Sequence, residues 1–273
     1  MFTTLRLQRT AAALAAALLL GLFAGCAEQG LNAPDPNPQP QDQAPALPDA
    51  DRLGIDLSFF QDGQDKAIGQ QNFFNAYLRA VIVSATTQLV LTPPVAAFAL
   101  ALHTVPTLQP DGSWIWVYTY VRGDEEAQVR LRGVIRGDEV AWALRVTVPN
   151  EGIANELWFD GTTRDDGDTG DWTFYDFSLP GDPAAASVHW QDDADGHELA
   201  LEVLHGPDAG DSLTFTEAGA LNRIDYVDAG ADGVWFIRWN ESDGTGSLRV
   251  PDYRNGQESC WDEAQFDVDC GGS

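Results

Sequence analysis

The residues able to do chemistry are few in kind. Four histidines, His103, His189, His197 and His205, stand among 42 acidic residues and three cysteines in a chain of 273 residues. His189, His197 and His205 recur at eight-residue spacing within one expected hairpin. That spacing is no ligand geometry along a strand, although a hairpin can bring such positions together across it. Polar surface positions are the plainer reading. Asp165, Asp166, Asp168 and Asp171 in one stretch, and Asp193, Asp195 and His197 in another, offer the oxygen ligands of a calcium loop. Neither has the regular ladder closed by a bidentate acid that such a loop needs. They read as solvated hairpin turns, with a weak structural calcium site as the alternative. Acids beside aromatics, Trp158 with Asp160 and Trp172 with Asp176, would suit a sugar stacked on a ring, and equally an aromatic core. No nucleophile elbow, P-loop, dinucleotide fingerprint or HExxH helix is present, so the sequence nominates no cofactor and no catalytic residue.

The N-terminus is more specific. Arg6 and Arg9 precede the uncharged apolar run from Ala11 to Phe23, and the small residues Ala24 and Gly25 lead to Cys26. This is the three-part layout of an export signal, and its apolar run is short for a bilayer span of roughly 20 residues. Leu22-Phe23-Ala24-Gly25-Cys26 resembles the lipobox of bacterial lipoproteins, with Phe23 where that family usually has Leu. The resemblance covers these residues alone. It implies cleavage before Cys26, acyl chains on that cysteine, and a mature protein held to a membrane of the bacterial envelope. Ala27 at the next position, rather than Asp, points to the outer membrane. An ordinary cleaved signal with an incidental cysteine is the alternative. In an exported chain the remaining Cys260 and Cys270 favour a disulfide. A loop of that length contributes about 2–3 kcal/mol. A zinc pair is the rival, but the spacing is wrong and no histidine is near.

These readings divide the chain into a signal over 1–25, the lipidated cysteine and a tether over 26–51, and a single globular domain over 52–273. Pro34, Pro36, Pro38, Pro40, Pro45 and Pro48 favour extended conformers in the tether. It either lifts the domain from the membrane or serves no spacer role. Within the domain, Ala67, Ile68, Phe73, Phe74, Tyr77, Leu78, Val81 and Ile82 recur at helical spacing. Pro93-Pro94 is expected to break this pattern into a helical pair over about 64–103. No charged side chain lies between Arg79 and Asp111. Core helices explain that run, with membrane contact as the alternative.

From about 113 to 250 the pattern is short strands. Trp114, Trp116, Tyr118 and Tyr120 line one face of the first, Ile115, Val117 and Val121 the other, which predicts cover on both sides. Gly137-Asp138, Asp195-Gly196 and Asp243-Gly244 mark tight turns. The expected fold is mainly β (α+β): about eleven strands in a long antiparallel meander, forming a curved sheet or open barrel on the helical pair, because so long a meander must curl. The disulfide-closed segment 251–273 follows. Trp158, Trp172, Trp190, Trp235 and Trp239 hint at a degenerate strand-hairpin repeat.

Fifteen basic against 42 acidic residues give a net charge of −27, which argues against nucleic acid and anionic lipid as partners. Lys66 is the sole lysine; low Lys with high Asp resembles proteins of salt-loving organisms, and a GC-rich genome explains it equally well. The first expectation for function is an envelope lipoprotein with a non-catalytic binding or structural role. Its partners would be the membrane, through Cys26, and an envelope protein or ligand. A carrier of an apolar ligand or lipid is the second expectation; Trp114, Trp116, Tyr118 and Trp142 are the aromatics that would line its cavity. A carbohydrate hydrolase using an acidic pair is the third.

Overall fold

Alternation of apolar and polar side chains folds most of the chain into one sheet. The computed structural model describes residues 43–48, 50–60, 68–122, 125–164, 167–177, 179–231 and 233–271. Its strands are β1 (Thr107–Leu108), β2 (Trp114–Arg122), β3 (Glu125–Arg136), β4 (Glu139–Val148), β5 (Ile153–Arg164), β6 (Thr169–Tyr175) and β7 (Ala184–Asp193). They continue with β8 (Gly196–Val203), β9 (Ser212–Ala218), β10 (Leu221–Asp228), β11 (Gly233–Asn240), β12 (Gly246–Arg249), β13 (Ser259–Trp261) and β14 (Asp267–Val268). All 14 belong to one sheet in which spatial order is chain order. Each is antiparallel to its neighbours, a meander whose hairpins are closed by turns such as Gly137 at φ 71° and Gly244 at φ 78°. The sheet is not closed: β1 and β14 are its two edges. The strands expected from alternation are β2 through β12; the short β1, β13 and β14 lack the length to show a period.

The expected helical pair is a single helix, α1 (Gln71–Ala101), 31 residues long. At about 1.5 Å per residue it spans about 46 Å. Its two ends sit in different cores. Phe73, Ala76, Ala80 and Val83 pack with Leu213, Phe215, Ile224, Ile237, Trp239 and Trp261 beneath β9–β13. Phe98 and Ala101 pack with Trp116, Trp142, Phe159 and Trp172 beneath β2–β8. Anchorage at both ends outweighs the local cost of Pro93 and Pro94, which lie inside the continuous helix. Among the described residues no helix is long and apolar enough to cross a membrane.

Two further expectations are corrected. The folded part begins before residue 52. Ala44 and Leu47 pack on the β2–β8 core, Pro48 is buried, and the Pro45 ring lies 3.2 Å from the position a Cβ on Gly133 would take. Nor is β2 covered on both faces. Trp116 and Ile115 are buried, but Val117 and Val121, further along the second face, are exposed.

Tryptophans organise the interior through glycines on neighbouring strands. Trp142 lies over Gly133, Trp172 over Gly161, Trp190 over Gly170 and Trp261 over Gly246, each a register partner or its immediate neighbour in the ladder. A Cβ on Gly170 would stand 2.1 Å from the Trp190 ring, so only glycine admits the indole there. Of the tryptophans in the recurrence, Trp172 and Trp190 share this stacking, and Trp158, Trp235 and Trp239 do not. The indole N–H groups of Trp142, Trp190 and Trp261 donate to Thr163 Oγ1, the Gly167 carbonyl and the Gly244 carbonyl at 2.8, 2.9 and 3.0 Å.

Candidate functional site

The inner face of the sheet is filled, and the space a ligand could use lies on the outer one. Strands β6–β9 alternate between the two faces, and β5 joins them in register over its second half. Trp172, Val188, Leu201 and Leu213 form one cross-strand row on the inner face, all nearly inaccessible. The intervening residues point outward, and apart from Asp171, His189 and Glu202 they are small or hydroxylic. Thr162, Asp171, His189, Ala200 and Thr214 make one outer row, and Thr173, Ser187, Glu202 and Ser212 the next. With short side chains across five strands, the outer face is hollowed into an open groove of about 530 Å³.

The floor of the groove is half-buried and its carboxylates are at the rim. Thr162, Thr173, Ser187, Ser212 and Thr214 are partly accessible, while Asp171 and Glu202 are exposed. His189 Nδ1 and Asp171 Oδ1 share a hydrogen bond of 2.8 Å. With the proton on Nδ1, the imidazole donates to the carboxylate and turns Nε2 to the solvent as an acceptor. Beside the second row, Asp160 accepts a 3.0 Å hydrogen bond from the Tyr175 hydroxyl. Burial, and then this bond, raise the Tyr175 pKa, so the phenol stays a donor. The assembled chemistry is a field of hydroxyls with two carboxylates and one imidazole. No hydrogen bond joins Ser187 to His189, so the contact that makes a serine a nucleophile is absent although both side chains share this face of β7.

Of the residues singled out in the sequence, His189, Asp171 and Trp172 line the groove, and the others fall elsewhere. Trp116 and Trp142 are core residues with rings 5.8 Å apart, and Trp114 and Tyr118 are partly buried against the same cluster. None of the four lines the groove. His197 pairs in register with Asp192 and has its ring 6.0 Å from Phe215, so His189 and His197 are not cross-strand neighbours. His205 lies in the exposed turn after β8. Asp168 is held by Arg52, which also approaches Asp192 at 3.8 Å; a side chain from the 3-10 turn Ala50–Leu53 thus supplies the cation there. Asp193 accepts from Gln191 Nε2 and the Asp195 backbone N–H, and these bonds lower its pKa, an Asx-type turn. Asp165, Asp166 and Cys26 lie outside the described residues.

Cys260 and Cys270 are joined in a disulfide, with Cα atoms 5.2 Å apart. Glu258 stands close to both sulfurs. Since each sulfur is bonded to the other, neither is a thiolate able to ligate a metal. A second cluster occupies the outer face over β10–β12. The guanidinium carbons of Arg223, Arg249 and Arg238 lie 4.4, 5.4 and 5.9 Å from the Phe236 ring centroid. Arg223 is paired with Asp225 and Arg238 with Glu258, so this cluster is largely neutralised from within.

The groove was not visible in the sequence as a site. Its trace is there: each of five successive strands carries at least one outward Ser, Thr or Ala near its middle where a solvated strand would carry longer charged side chains. Only the register brings them together. No family model, no curated protein and no solved structure matches the chain.

Proposed function

We propose that the chain is a lipoprotein of the bacterial envelope, anchored through Cys26, whose sheet domain binds a polar, hydroxyl-rich ligand of the saccharide type without transforming it. The observation that carries the reading is the 530 Å³ groove of hydroxyls and rim carboxylates on the outer face of β5–β9. Sugar hydroxyls both donate and accept, and this surface offers both partners: carboxylates that accept, and Ser and Thr hydroxyls that do either. An open, pre-formed cleft with few charged groups suits such recognition. Asp171 fixes the His189 ring and leaves one nitrogen turned outward.

The carrier reading is weaker. It calls for an apolar cavity between sheet and helix, whereas Trp142, Trp172, Trp190, Trp239 and Trp261 are packed within the inner face. A hydrolase reading needs a nucleophile–base contact, which Ser187 and His189 do not make, or an acid pair, for which Asp171 and Glu202 are the carboxylates at the rim; the hydroxyl-rich floor favours binding.

The test is titration calorimetry of the mature chain with a panel of neutral and amino-sugar oligosaccharides. A saccharide that binds should lose at least tenfold in affinity when Ala200→Trp fills the groove, with the unfolding midpoint unchanged. Binding that is indifferent to Ala200→Trp, or no binding across the panel, would falsify the saccharide reading.

A further inference from the structure

Positive charge is scarce in this chain, and most described arginines are matched to an acid. Arg52, Arg79, Arg164, Arg223, Arg238 and Arg254 each hold a carboxylate in an ion pair. On the outer face of β3 and β4 the pattern reverses. Arg130 and Arg145 are exposed and stand directly opposite one another in the register. Among the described residues neither has a carboxylate within ion-pair distance, although acids outnumber basic residues 42 to 15. Like charges directly opposite across a strand pair are destabilising. The acids that share this face are turned to other groups. Asp111 holds Arg132 at 3.1 Å, Glu126 accepts from Gln128 Nε2 at 3.4 Å, and Asp160, opposite Ala143, accepts from the Tyr175 hydroxyl at 3.0 Å.

The backbone also holds one of the two arginines in place. Arg145 pairs with Leu157 while Leu144 pairs with Phe159, and Val146 pairs with Glu156 while Val148 pairs with Ile153. Strand β5 therefore bulges on both sides of the Arg145 position, and a bulge re-aims the groups around it. Within the second bulge Asn155 takes a left-handed conformation at φ 56°. Its N–H donates to Thr147 Oγ1 at 2.9 Å, and its carbonyl accepts from Arg145 Nη1 at 2.9 Å. One edge of the guanidinium is thus fixed, while its other N–H groups are left to an outside acceptor.

We propose that Arg130 and Arg145 form a binding site for a phosphate group, free or as a monoester. Two facing cations call for a dianion. A phosphate monoester carries about −1.5 to −2 charges at neutral pH and three acceptor oxygens, so one group neutralises both guanidiniums. A single carboxylate would leave one of them uncompensated. The planar fork of each arginine matches phosphate oxygens two at a time. The rest of the molecule restricts the ligand to a compact one. A net charge of −27 repels an extended polyanion along its whole length, whereas a small anion at this pair is screened from acids more than about 8 Å away. Neither arginine lines the groove, so the proposal does not depend on the saccharide reading.

The test is titration of the mature chain with inorganic phosphate and, separately, with glucose 6-phosphate, followed by phosphorus NMR at fixed ionic strength. Saturable binding to one site is expected for both, with acetate at least tenfold weaker. Arg130→Gln and Arg145→Gln should each weaken binding at least tenfold. Arg130→Lys should weaken it less, because the charge stays and only the fork is lost. Arg249→Gln, on the outer face over β10–β12, is the control and should change nothing. Tighter binding of glucose 6-phosphate assigns the site to a monoester, and equal binding assigns it to phosphate itself. Without phosphate, both Gln variants should unfold at or above the wild-type midpoint, since each removes a repulsion. No saturable binding of either probe overturns the proposal, as does acetate binding equally well or binding that survives both Gln substitutions. A lowered midpoint overturns it too, because an acid within the chain would then already hold the pair.

Discussion

Gly170 and Gly246 are where single residues decide the packing. An added Cβ would meet the Trp190 ring at 2.1 Å in the first case and the Trp261 ring at 2.1 Å in the second, and both indoles are fully buried. Neither ring has room to withdraw from a close-packed interior. We expect Gly170→Ala and Gly246→Ala each to cost about 3 kcal/mol or more in urea unfolding. Gly230→Ala is the control: its Cβ would come no nearer than 3.5 Å to Asp228 Oδ1, an ordinary contact, and its effect should stay within about 0.5 kcal/mol. At the same scale the polar residues show how loosely sequence spacing predicts a site. Asp168 reads as part of a solvated turn, with calcium as the alternative, and is taken by Arg52. His189 reads as a surface residue of a hairpin and is oriented by Asp171 in the groove.

At the scale of elements, the last strands depend on reinforcement. β13 has three residues and β14 two, too short to hold an edge by their own hydrogen bonds. They are secured by the Cys260–Cys270 disulfide and by the start of α1. The Asn72 backbone N–H donates to Asp267 Oδ1 at 2.8 Å, its side chain donates to the Cys260 carbonyl at 2.6 Å, and the Asp267 N–H donates to the Gly69 carbonyl at 2.7 Å. Replacing both cysteines with serine should cost about 2–3 kcal/mol, the loop-closure value for a separation of 10 residues. Native-state hydrogen exchange should then show the amides of β13 and β14 losing protection before those of β6–β10. The helix gives the complementary lesson. Pro93-Pro94 is a strong local signal for a break, yet residues at both ends of α1 are locked into two separate cores, and tertiary contacts outweigh the local preference.

At the scale of the molecule, the dominant quantity is the net charge of −27; loss of residues 1–25 would remove Arg6 and Arg9 and no acid. The described ion pairs use arginines singly against a large excess of acids, so most carboxylates face one another through solvent. Screening shortens that repulsion to about 3 Å at 1 M salt. The melting temperature should therefore rise between low and molar NaCl, and a flat response would remove charge repulsion as a limit on stability. The amino-acid sequence by itself determined the strand content and the chain-order meander, because period-two alternation and Asp-Gly turns are local signals that leave each strand only its neighbour to pair with. It likewise determined the Cys260–Cys270 bridge, since few cysteines leave few partners. Tertiary structure decided the rest. The single helix follows from burial at its two ends, which no local window contains. The stacking of Trp190 on Gly170 and of Trp172 on Gly161 depends on register between strands. The groove arises only when outward Ser, Thr and Ala from five strands are aligned, because a hollow is a property of neighbouring strands and of no segment alone.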